Sequence, residues 1–189
     1  MLNNRQESLS RHKVCDIEAL FRQAFYADYR TCLTGGASEP LYKPACNEGD
    51  NHYIYYREDF FASALHEASH WCIAGEERRQ QLDFGYWYVE DGRNAIEQKA
   101  FEAAEVKPQA LEFLFSLAAN YPFQVSVDNL NGSHLAIDHF KNAVLNQAQR
   151  FVDCGLPERA AVFYSVLSEY YQTMRIDELA AYFEANREL

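Results

Sequence analysis

The sequence predicts a mainly helical α+β fold, a single domain of helices around a small sheet, with one motif-bearing helix at its centre. Three observations predict it. Apolar residues recur at helical spacing over most of the chain. Only short aromatic or β-branched runs bounded by turn residues read as strands. A hydrophobic fraction of 48% in 189 residues fills one sizeable core.

The elements follow in order. Residues 1–14 are polar and expected to be flexible, leaving 15–189 as the folded domain. Asp16 is placed to N-cap a helix in which Ile17, Leu20, Phe21, Ala24 and Phe25 recur on one face. Gly35-Gly36, Pro40, Pro44, Gly49 and Asn51 make 33–51 a long irregular loop, or a loop with a short strand. His52–Arg57 reads as a strand. A helix from about Asp59 to Ala74 follows, with Gly75 placed as a left-handed C-cap. Phe84–Val89 is a second strand candidate, ended by the turn Glu90-Asp91-Gly92-Arg93. The next helix, Asn94–Asn120, contains Pro108, which should kink or restart it. Phe123–Val127 alternates like a third strand. The remainder is helical, over 136–153 up to Gly155, then 157–173 and 176–186.

A formal charge of −11 argues against a nucleic-acid partner, because phosphate binding needs clustered Lys and Arg. It favours cationic substrates instead, or serves only to keep the protein soluble. Five widely spaced cysteines with no C-x-x-C pair indicate neither a zinc ribbon nor a redox dithiol. The amino-terminal residues have no apolar core of a signal peptide, and no apolar run is long enough to span a bilayer. No membrane association is expected, and a reduced, cytoplasmic location is.

The chemistry concentrates in His66-Glu67-Ala68-Ser69-His70, an H-E-x-x-H motif within a helical segment. Imidazoles four residues apart stand one above the other, about 6 Å apart, and can hold one metal ion between them. Glu67 is about 100° further round the turn, within reach of a metal-bound water or of a ligand it could orient. Phe60, Phe61, Ala64, Leu65, Ala68, Trp71, Cys72 and Ile73 make the rest of the helix apolar, so it should be buried. Buried histidines need polar partners, and a metal supplies one.

Two histidines need a third donor. His12, His52, His134 and His139 have no diagnostic spacing to the motif. The helix after Gly92 offers Glu97, Glu102 and Glu105, and Glu102, Glu105 and Gln109 share one face at i, i+3 and i+7. Glu105 is the favoured metal ligand. Glu102 is its rival, or a supporting catalytic carboxylate holding a histidine N–H. Glu97 reads as a solvated carboxylate. With zinc and Glu67 as base, two His and one Glu make a hydrolase, peptidase or nuclease, and spacing alone favours that reading. With iron(II), the same donors make a two-His-one-carboxylate site with positions open to O2.

A longer series of blocks changes that order. Ala64-Leu65-His66-Glu67-Ala68-Ser69-His70-Trp71-Cys72-Ile73-Ala74-Gly75 is followed by Asp83-Phe84-Gly85-Tyr86-Trp87-Tyr88 and by Asp91-Gly92-Arg93. Phe101-Glu102, Glu105-Val106-Lys107-Pro108-Gln109-Ala110-Leu111 and Val125-Ser126-Val127-Asp128-Asn129-Leu130 complete it. Over roughly residues 15–172 the series resembles the bacterial elongation factor P hydroxylase family. The resemblance implies hydroxylation of elongation factor P on its β-lysylated lysine. It also implies O2 as co-substrate and a metal, iron(II) with zinc as the alternative, held by His66, His70 and a Glu of the 102–105 pair. Glu67 then has a supporting role, and the reductant is unassigned. A side chain with two ammonium groups would be drawn to an acidic cleft, for which Asp83, Asp91 and Asp128 are candidates. Tyr86, Trp87 and Tyr88 could form an aromatic wall.

Overall fold

The computed structural model describes residues 12–84, 95–126 and 134–185, with side chains over 12–84, 97–126 and 137–185. It is α+β and mainly helical, with one three-stranded sheet among the described residues. The chain forms two compact units, Met1–Gly85 and Tyr86–Leu189.

In the first unit, α1 (Val14–Tyr29) is followed by β1 (Thr31–Ala37), β2 (Leu41–Lys43), β3 (His52–Arg57) and α2 (Phe61–Ile73). A 3-10 turn, Arg78–Gln80, follows. The sheet order is β1-β3-β2, with β1 parallel and β2 antiparallel to β3. Cys32 pairs with Tyr53 and Leu33 with Ile54; on the other edge Tyr42 pairs with Ile54. Helices α1 and α2 pack on each other and on the sheet. Their interface is aromatic. Trp71 meets Phe21 at 5.2 Å, Phe25 at 4.8 Å and Tyr29 at 5.3 Å between ring centroids, and Ile17, Leu20, Leu33, Ile54 and Tyr56 close the core around them.

The sequence reading of 33–51 as mainly loop is corrected by β1. Its two glycines sit inside the strand, where the β1–β3 register shifts between Thr34 and Ala37 and Gly36 takes φ +81°. Such a bulge accommodates a residue that a regular ladder would not. Asp16 is not the N-cap; α1 begins two residues earlier, after Lys13, and Asp16 lies in its first turn, where its charge suits the helix dipole. Nor is Gly75 a left-handed cap. Ala74 ends α2 in an extended conformation, its N–H bonded back to His70 and Trp71 carbonyls.

In the second unit, α3 (Ala95–Ala118), α4 (His134–Cys154), α5 (Glu158–Tyr171) and α6 (Leu179–Ala185) follow in order, with a 3-10 turn at Ile176–Glu178. Helix α3 packs on α4 and α5 through Leu111, Leu114, Phe115, Phe140, Val144, Phe163 and Leu167, all buried. Pro108 does not restart α3, which runs through it as one 24-residue helix. The expected strand at 123–127 is absent over its described part; 121–126 is irregular and is held to α3 by hydrogen bonds. The expected strand at 84–89 lies outside the described residues, Phe84 excepted, which is in no strand.

Candidate metal centre

Burial divides α2 into two faces. Phe61, Ala64, Leu65, Ala68, Trp71 and Cys72 are buried against α1 and the sheet, whereas Ser63, His66, Glu67 and His70 form a half-buried stripe at helical spacing. Ser69, also buried, returns its hydroxyl to the Leu65 carbonyl at 2.8 Å, which gives that hydroxyl an acceptor within the helix. Phe60 at the helix start is exposed rather than packed. The packing of Trp71 and Cys72 therefore fixes the rotation of the helix and, with it, the direction of the histidine stripe.

His66 Nε2 and His70 Nε2 lie 3.1 Å apart, with their ring planes 71° to each other. Two nitrogens bound to one ion at about 2.1 Å each are about 3.0–3.4 Å apart when the angle at the ion is between about 90° and 110°. The observed spacing falls in that interval. It also admits a hydrogen bond, one ring donating Nε2–H to the other. By its spacing, the pair fits a metal ion.

Beside this pair, in the same unit, is an open cleft of about 430 Å³ lined by Glu67, His70, Trp71, Tyr42, Ile54, Ala74, Arg78, Arg79 and Asp83. Its outer wall is tied to the sheet edge. Tyr42 and Asp83 exchange main-chain hydrogen bonds, N–H to O at 2.7 Å and 3.0 Å, as an isolated antiparallel bridge. The Tyr42 hydroxyl donates to the Arg79 carbonyl at 2.9 Å. Arg78 pairs with Asp83 across the wall. Arg79 donates to the Ala74 carbonyl at 2.9 Å, its guanidinium 5.6 Å from the Tyr29 ring and 5.9 Å from the Trp71 ring. Behind Tyr42, His52 Nδ1 accepts the Ala45 N–H at 3.2 Å, and burial together with the Arg79 charge holds its pKa below the ordinary 6.5.

In the second unit, the carboxylates that share a face of α3 differ in burial. Glu105 is 6% exposed, whereas Glu102 is half-buried and accepts Gln98 Nε2 at 3.1 Å. Burying a carboxylate is costly unless a cation or several donors compensate it, a demand that falls on Glu105 and less on the partly solvated Glu102. Gln109 and Glu112 are buried on the same face.

The remaining candidates disperse. His12 packs edge-on against Phe61 at 5.1 Å, His52 belongs to the Tyr42 network, and His139 is exposed. The side chain of His134 lies outside the described residues, as do Tyr86, Trp87, Tyr88, Asp91 and Asp128. Asp83 does line the cleft, but as the partner of Arg78. Sequence reasoning missed Tyr42, Arg78 and Arg79. Tyr42 sits in the short strand that the reading of 33–51 allowed without placing it, and two adjacent arginines after a helix carry no signal that they line a cleft.

Comparison with known proteins gives the family. The profile of a family described as elongation factor P hydroxylase matches residues 20–181, most of the chain. This chain belongs to the elongation factor P hydroxylase family. A relative from Haemophilus influenzae, named elongation factor P lysine hydroxylase, is 46% identical over 162 residues, which is 86% of this chain and 91% of the relative. The family match spans both the histidine helix and the α3 carboxylates. Among the described residues no helix is long and apolar enough to cross a membrane.

Proposed function

We propose that this chain hydroxylates the β-lysylated lysine of elongation factor P, in the cytoplasm, with O2 as oxidant and iron(II) held by His66, His70 and Glu105. The observation that carries the reading is the family match, which covers every residue in that donor set. The donor chemistry agrees with it: two imidazoles and one carboxylate are a group able to hold a metal ion. The reaction inserts one oxygen atom of O2 into a C–H bond and reduces the other to water, taking two electrons from a donor and two protons. Bound iron(II) would supply the activation of O2 that attack on an unactivated carbon needs.

The chain's own residues supply the rest. His66 and His70 present their Nε2 atoms, held by the packing of Trp71 and Cys72 behind them. Glu67 opens onto the cleft with His70 and has the reach to orient an ammonium group of the substrate or a water, a supporting role rather than that of a hydrolytic base. Glu102, less buried than Glu105, is assigned a supporting role among the catalytic carboxylates. The Trp71 and Ile54 side chains give the cleft apolar surface against which the methylene chain of a lysine can lie.

One experiment tests this against the zinc-hydrolase alternative, which uses the same two histidines. The metal-free chain is loaded anaerobically with iron(II) or zinc, supplied with a chemical reductant, and given β-lysylated elongation factor P and O2. Intact mass reads the factor. A gain of one oxygen with iron alone is expected, and its loss in His70→Ala together with iron binding. Cleavage of the factor under zinc with no oxygen gain under iron would overturn the proposal.

A further inference from the structure

Gln109 lies one helical turn after Glu105 on α3 and is 1% exposed. A buried primary amide has one acceptor oxygen and two N–H groups to satisfy. The main chain of Ser126 meets two of these needs. Its N–H donates to Gln109 Oε1 at 3.0 Å, and its carbonyl accepts from Nε2 at 2.7 Å. These contacts also fix which end of the amide is oxygen, because a main-chain N–H can be met only by oxygen and a carbonyl only by nitrogen. The amide plane is thereby held from a point seventeen residues away in sequence. The other hydrogen of Nε2 is then directed towards Glu105 Oε2, 3.5 Å away. That contact is at the outer limit of a hydrogen bond, so it acts on orientation more than on strength.

We propose that Gln109 is a positioning residue for Glu105: clamped to the Ser126 main chain, it holds the Oε2 side of the carboxylate and so sets how Glu105 is offered to a metal. This rests on Glu105 being the third donor, as proposed above. Glutamate has three rotatable side-chain bonds, and ordering them at the moment of metal binding costs affinity unless the fold has ordered them beforehand. Hydrogen-bond partners of metal-binding side chains commonly matter about 10–100-fold in metal affinity. Segment 121–126 thus has a task beyond covering α3. It carries the anchor that keeps the amide from turning.

The test uses the full chain stripped of metal and titrated anaerobically with cobalt(II), whose visible absorption reports both affinity and coordination. Glu105→Ala is expected to lose tight cobalt binding. Gln109→Met, close in size, is expected to keep a cooperative thermal transition but to bind cobalt about 10–100-fold more weakly, with an altered absorption band. Wild-type affinity and spectrum in Gln109→Met, alongside loss in Glu105→Ala, would overturn the positioning role while leaving the ligand assignment standing. Wild-type cobalt binding in Glu105→Ala would overturn the ligand assignment itself, and the inference with it. If Gln109→Met does not fold, Gln109→Glu carries the test, since it keeps an acceptor for the Ser126 N–H but has no N–H for Glu105. An altered cobalt spectrum then supports the role, and an unaltered one overturns it.

Discussion

At Gly35 the chain leaves no room for a methyl group. A Cβ there would lie 2.6 Å from both the Tyr56 hydroxyl and Asp59 Oδ1. The crowding has a cause: Glu18 Oε1, reaching across from α1, accepts both the Gly35 N–H at 3.0 Å and the Tyr56 hydroxyl at 3.0 Å. Three elements meet at one carboxylate oxygen, and only a residue without a side chain lets them close. Gly35→Ala is therefore expected to lose about 1–3 kcal/mol of stability, read from the urea midpoint, with His66 and His70 untouched. At this scale the sequence was informative where chemistry is local. His66 and His70 were legible because a helix alone brings i and i+4 together, and Cys72 was correctly read as a core residue. The role of Gln109 was not legible. Its partner is seventeen residues distant and contributes main chain, which no side-chain pattern records.

Among the elements, the helix ends show where local rules are overridden. Arg30 and Gln172 follow α1 and α5 in the left-handed conformation, at φ +47° and +54°, although neither is glycine. Gln172 donates its N–H to the Ser168 carbonyl, which closes the end of α5. A side chain in this region costs roughly 1 kcal/mol relative to glycine, so Gln172→Gly should stabilise the protein by up to about 1 kcal/mol, read as a raised thermal midpoint. Gly75, which the sequence offered as such a cap, is not used that way, because Ala74 turns extended to lead the chain into the cleft wall. Strand β1 escaped sequence reading for a related reason. Two adjacent glycines signal a loop, and only the parallel pairing with β3 makes them part of a strand.

For the molecule as a whole, acidification should act through His52. Burial and the Arg79 charge lower its folded pKa, and its Nδ1 accepts the Ala45 N–H, so the folded state prefers the neutral ring. A depressed folded pKa contributes stability that is present above the unfolded value of about 6.5 and is lost as pH falls below it towards the folded value. Stability should thus decline as pH falls below about 6.5. His52→Asn, whose side-chain oxygen can take the place of Nδ1, should show a shallower decline in urea unfolding over that range. A wild-type slope in that variant would refute the assignment. The fold class was legible from the balance of helical and alternating patterns, as was the charge; the division into two compact units was not, since no Pro- or Gly-rich linker marks residue 85.

The Tyr42–Asp83 bridge makes the cleft wall a short continuation of the sheet rather than a hanging loop. Opening that wall means breaking two main-chain hydrogen bonds and the bond from the Tyr42 hydroxyl to Arg79 together. The amide protons of Tyr42 and Asp83 are therefore natural clocks for the breathing of the cleft. Their exchange with deuterated water reports the opening of the wall of the cleft that His70 lines, independently of any turnover.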